Sequence, residues 1–181
     1  MILAPRIVVR LVLLGLFTAV AQVACFSKMI IFGTTPDIAI LVVISLGLLG
    51  GSVTGAVSGF SIGLLMDCLL LQTLGAFALA LLAVGYVAGR YRENVGPPTR
   101  AAVVLLGGGL TLLGTLAFAA IQVGTGIDAD VSSLVVRDAV MKTLIGTVLA
   151  IPVLYLVRLV LRSALIDERR TSRRPLAPAT E

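Results

Sequence analysis

The sequence predicts an all-α integral membrane protein with six transmembrane helices and both termini in the cytoplasm. Of its 181 residues, 59% are hydrophobic and 13% charged, with a mean hydropathy of +1.12; that is too little polar surface to cover a water-facing globule. The apolar runs are near-continuous rather than alternating, and a backbone in lipid must satisfy its own hydrogen bonds, so the runs are helices and not barrel strands. The basic residues cluster in three places: Arg6 and Arg10, then Arg90, Arg92 and Arg100, then a tail with Arg158, Arg162, Arg169, Arg170, Arg173 and Arg174. The positive-inside rule puts all three on one side of the membrane, so an even number of crossings separates each from the next.

The helices follow in order. A first apolar run, residues 7–26, is long enough to span at about 20 residues. Arg6 and Arg10 at its start and "QVAC" at its end also fit a lipoprotein signal cleaved before Cys25. The run exceeds the roughly 7–15 apolar residues of a signal core, so an uncleaved helix is expected. The next stretch, Pro36 to Leu70, would make a single helix of roughly 50 Å, too long for one pass. Charge parity demands two crossings here, so it is a hairpin bent at "GGS", residues 50–52, where adjacent glycines permit a tight turn. Its arms are residues 37–49, short enough to tilt or thin the bilayer, and residues 52–70. The fourth, fifth and sixth helices are expected over 72–89, 100–123 and 134–161. Together they complete a membrane domain of residues 1–161, followed by a basic cytoplasmic tail, 162–181.

Local signals support these boundaries. Thr35-Pro36-Asp37 reads as an N-cap, an N1 proline and an acid in the first turn, and Pro97-Pro98-Thr99 opens the fifth helix in the same way. Pro152 lies inside the sixth helix, where proline kinks. The loops at Lys28, at "LLQTLG" and at "GTGIDADVSS", with Asp128 and Asp130, fall outside the cell.

The same residues exclude whole classes of function. The net charge is +5, but the basic residues flank apolar runs and mark orientation, so no nucleic acid is expected. There is no histidine; Cys25 and Cys68 form no CxxC motif; no P-loop or GxGxxG occurs. Neither a catalytic triad nor a metal or nucleotide site can be assembled, so no enzyme activity and no cofactor is expected.

What remains is a set of glycines and one acid. Glycine recurs at 47, 51, 55, 59 and 63, and the next step of four is Asp67. The bend assigns Gly47 to the second helix and Gly51, Gly55, Gly59 and Gly63 to the third. Such faces let helix backbones approach closely in lipid, within one protein or against a partner's helix, and Gly85 and Gly89 offer another. Four residues advance about 400°, so the stripe drifts about 40° per step and is expected to meet successive neighbours as a winding groove. An intramembrane carboxylate is by default functional. Asp67 lies near the outer surface in this frame, where an interfacial or helix-end contact competes, and an ion pair with Arg137 or Lys142 of the sixth helix is expected. Asp138 and Lys142 form a favourable i, i+4 pair. The basic tail either fixes orientation or attracts anionic lipid.

The run from Thr35 to Arg90 resembles the rod shape-determining MreD family. The resemblance is carried by Pro36 and Asp37, a glycine-marked turn at Gly50 and Gly51, then Gly55, Gly59, Phe60, Gly63, Leu64 and Asp67, then Leu74 and Gly75, and Gly85 with Tyr86 before a basic loop. It implies a non-enzymatic scaffold of the cell-elongation machinery in the cytoplasmic membrane. The implied partners are MreC, the RodA glycosyltransferase with its penicillin-binding transpeptidase, and indirectly MreB. It also implies a fold like the substrate-binding subunits of energy-coupling-factor transporters, and with it an alternative, a vitamin-type small-molecule binder. The absence of tryptophan and the few membrane polar groups favour the scaffold.

Overall fold

The computed structural model describes residues 5–24, 35, 37–70, 75–124 and 133–171. Cys25, Lys28, Pro36, Leu74, Asp128, Asp130 and the tail beyond Thr171 lie outside the described residues. The chain is all-helical: α1 (Pro5–Ala24), α2 (Ile38–Gly50), α3 (Ser52–Leu70), α4 (Ala76–Val95), α5 (Arg100–Gly124) and α6 (Ser133–Thr171). Among the described residues, three stretches are long and apolar enough to cross a membrane, Ser52–Leu70, Arg100–Gly124 and Arg137–Leu161.

The organising element is the short one. α2 is apolar all round, and its residues from Ala39 to Leu48 are buried without interruption, as expected of a helix enclosed by others. α3, α4, α5, α6 and α1 surround it, each packed on the next, with α1 closing the ring between α6 and α3. At 13 residues, α2 is about 20 Å long against a hydrocarbon core of about 30 Å. The helices around it are longer, so the bundle has a filled end at Gly51 and an end above Asp37 that α2 does not reach.

The bend falls on Gly51, whose φ of +90° only glycine adopts without strain. Its amide donates to Gly47 O at 2.8 Å, and Gly55 N donates to Gly51 O at 2.9 Å, so one helix stops and the next starts without a loop. α5 begins at Thr99, whose hydroxyl accepts from Ala102 N at 3.3 Å.

Several elements depart from the sequence expectations. α4 starts at Ala76 rather than 72, because Gly75 takes a left-handed conformation (φ +94°) in the preceding turn. It runs to Val95 rather than 89, because Arg92 and Glu93 at its end bind the α2–α3 turn. α6 extends to Thr171, well past 161, so the first part of the expected tail is helical. Between Pro152 and Pro175 there is neither glycine nor proline to stop it. α2 is not capped by Thr35. Its N-cap position is Asp37, and Ile38 N donates to Gln22 Oε1 of α1 at 3.0 Å.

Candidate functional site

The glycine stripe faces two neighbours, α4 along its length and α2 beside it at Gly55 and Gly59. A Cβ on Gly55 would strike the carbonyl of Gly85, on Gly59 the carbonyl of Leu81, on Gly63 the backbone of Ala78, and on Gly89 the backbone of Gly51 and Ser52. Gly47 faces the Gly85 carbonyl from α2, and Val43 fills the notch between Gly59 and Gly85. The expected winding groove is therefore a closed three-helix junction. A small-residue repeat longer than 3.6 stays between two helices that wind right-handedly about each other, and α4 keeps contact from Gly55 to Gly63 despite the drift of about 40° per step. A second seam joins α5 to α6: Gly107 lies against Ala150, Gly108 against Thr147 and Gly146 against Thr111. The threonines there return their hydroxyls to their own helices, Thr111 to Gly107 O at 2.6 Å and Thr147 to Thr143 O at 2.7 Å, leaving no unpaired donor in lipid.

Asp67 is 1% exposed, and its partners are amides. Oδ2 accepts from Gly75 N at 2.8 Å and Ala78 N at 3.3 Å, and Oδ1 from Phe77 N at 3.3 Å. The carboxylate of α3 thus caps the first turn of α4, whose own N-cap residue, Gly75, has no side chain to do so. Negative charge at that end also suits the helix dipole. The expected ion pair of Asp67 with Arg137 or Lys142 is corrected accordingly. Lys142 Nζ binds Asp138 Oδ2 at 2.9 Å and Asp37 Oδ2 at 3.5 Å, and Arg137 is exposed. Height along a helix was legible in the sequence; which way the side chain faces was not.

Above α2 lies a cavity of about 230 Å³ to which all six helices contribute, through Gln22, Asp37, Met66, Phe77, Phe118 and Lys142 among others. Gln22 ties α1 to α2 twice, accepting from Ile38 N and donating from Nε2 to Asp37 Oδ1 at 3.3 Å. Phe77 and Phe118 meet edge to face, centroids 5.5 Å apart at 89°, a favoured aromatic geometry. At the opposite end Arg92 Nη1 donates to Leu48 O at 2.6 Å, and Glu93 Oε1 accepts from Ser52 N at 2.8 Å and Ser52 Oγ at 2.7 Å. Those bonds from Ser52 hold the Glu93 carboxyl below its ordinary value of 4.5. Each end of α2 is thus held by polar side chains of other helices.

A family model described as rod shape-determining protein MreD matches residues 4–163. The chain belongs to the MreD family. No curated protein and no solved structure matches it. Membership gives this MreD-family chain a role in rod-shape determination, in a family of shape-determining rather than catalytic proteins. Among the described residues no group of His, Cys, Asp and Glu could hold a metal ion.

The residues that carry the MreD resemblance separate by environment. Gly55, Gly59, Gly63, Asp67 and Gly85 are buried in the α3–α4 seam, and Gly75 supplies the turn before α4. Asp37 joins the cluster above α2, while Phe60, Leu64 and Tyr86 are exposed at 41%, 39% and 46%. Gln22, Arg92, Glu93 and Phe118 were not legible as site residues. The one signal for Gln22 and Glu93 was a polar side chain within or just beyond an apolar run.

Proposed function

We propose that the chain is a multi-pass platform in the cytoplasmic membrane, with both termini and the Gly51 end inside the cell, that holds the membrane helix of MreC and so organises wall synthesis. RodA, its penicillin-binding transpeptidase and, indirectly, MreB are engaged through that pairing, and no nucleic acid is bound. The basic residues beyond the bundle face the cytoplasmic leaflet and suit anionic lipid.

One observation carries the docking part of this reading. The glycines of the α3–α4 stripe are spent on internal packing, so a partner's helix meets the exposed side chains of the outer ring instead. On α3 these include Val53, Val57, Phe60 and Leu64, a ridge at helical spacing, with Leu69 and Leu70 exposed at the helix end, and two of the ridge residues belong to the MreD motif. That ridge is the proposed seat of MreC. Gly59→Leu does not test it, because a side chain there collides with the Leu81 carbonyl and disrupts the fold itself.

The test is co-purification of MreC from detergent with Phe60→Ala/Leu64→Ala. Recovery is expected to fall severalfold with an unchanged melting temperature, and full recovery would place the docking surface elsewhere. The likeness to energy-coupling-factor substrate subunits belongs to the same proposal and is tested by an experimental structure. The alternative, a vitamin-type binder, rests on the cavity above α2. At about 230 Å³ it falls short of the roughly 300–1,000 Å³ of drug-sized ligand sites, which favours the scaffold.

A further inference from the structure

We infer that the cavity above α2 binds a small zwitterion, an ammonium and an anionic oxygen group carried on a short apolar body. The inference is independent of the MreC docking surface. The void follows from the architecture: a central helix of 13 residues ends before the ring around it does, and all six helices wall the space that is left.

Among its polar lining the cavity presents one ammonium and one carboxylate, Lys142 and Asp37, beside the neutral Gln22, Thr35 and Thr115. Lys142 Nζ holds Asp138 at 2.9 Å but stands 3.5 Å from Asp37, longer than the roughly 2.7–2.9 Å of a well-formed charge-assisted bond. An ammonium has three N–H groups and a carboxylate about four lone-pair sites, so both groups keep bonding capacity toward the space they line. An anionic oxygen accepts from Lys142, and an ammonium donates to Asp37. Both side chains are only 19% exposed. Asp37, Asp138 and Lys142 together carry one net negative charge, which opposes a lone anion, and a lone cation would leave the remaining Lys142 N–H without an acceptor, whereas a zwitterion serves both groups.

The apolar lining, Met66, Phe77 and Phe118 among it, takes the body. The 230 Å³ correspond to about eight waters at roughly 30 Å³ each, which is the scale of a free amino acid. The same head chemistry occurs in phosphatidylethanolamine, whose headgroup is a second possible source.

The test uses the full chain in nanodiscs of phosphatidylglycerol alone, titrated with L-leucine while thermal unfolding is followed. 3-Methylbutylamine, which lacks the carboxylate, and 4-methylpentanoate, which lacks the ammonium, serve as controls. L-Leucine is expected to raise the melting temperature saturably, 3-methylbutylamine to do so more weakly and 4-methylpentanoate not at all. Lys142→Met and Phe118→Trp, the second chosen to fill the cavity without touching the charges, should each weaken the response at least tenfold. If the headgroup is the ligand, phosphatidylethanolamine discs stabilise the wild-type chain, L-leucine adds nothing, and Phe118→Trp loses the lipid effect. Absence of stabilisation by both probes overturns the inference, as does a Phe118→Trp chain that responds like wild type.

Discussion

At the scale of the residue, two carboxylates act as caps for helices other than their own. Asp67 satisfies three amides at the start of α4 in a medium that offers no water to replace it. Asp67→Asn keeps one acceptor oxygen and turns the other into a donor that faces N–H groups, so thermal unfolding in detergent should show a loss of about 2 kcal/mol. Asp67→Leu should cost more. Because Asp67 and Lys142 share no partner, Asp67→Asn and Lys142→Met should add without coupling; a coupling energy above about 1 kcal/mol would restore the ion pair expected from the sequence. Glu93 sets a pH dependence. Its carboxyl is held below 4.5 by the bonds from Ser52, so its contribution is fully present above that value and is lost as pH falls from 4.5 through the lower folded-state value. Glu93→Gln should flatten that acid limb in a series of melting curves, and an unchanged limb would assign it to other groups.

At the scale of the element, the seams make opposite predictions for glycines that look alike in sequence. A methyl at Gly85 would lie on the backbone of Gly55, which has no flexible end to move, whereas Gly109 on α5 has nothing within 4 Å. Gly85→Ala should destabilise by about 3 kcal/mol as an overpacked contact, and Gly109→Ala should stay within about 1 kcal/mol of wild type. Equal melting temperatures for the two variants would contradict the α3–α4 seam. The spacing of four announced close helix packing in the sequence. It did not announce that antiparallel α4 would follow the whole stripe, with α2 filling in beside it at Gly55 and Gly59. That depends on how the two helices wind about each other, which no single helix encodes.

At the scale of the whole molecule, the ring of five helices around α2 explains why a short apolar segment belongs in a membrane protein. It is covered by protein along its length and need not match the bilayer itself. The proposed orientation is tested with Asn94→Cys at the exposed end of α4, in a chain carrying Cys25→Ser and Cys68→Ser. A membrane-impermeant maleimide should label it only after the cells are opened. Labelling of intact cells would invert the topology and with it the assignment of the Gly51 end to the cytoplasm.

The helical class, the bend at Gly51 and the cap at Thr99 were legible in the sequence, because composition, glycine at positive φ and N-cap chemistry are local properties of the chain. The partners of Asp67, Asp37, Gln22 and Glu93 were not. Each binds across to a different helix, and the direction in which a helix turns its side chains is set by the neighbours it packs against. The cavity is the clearest case, since it exists only because a short helix stands inside longer ones, a relation that only tertiary packing creates.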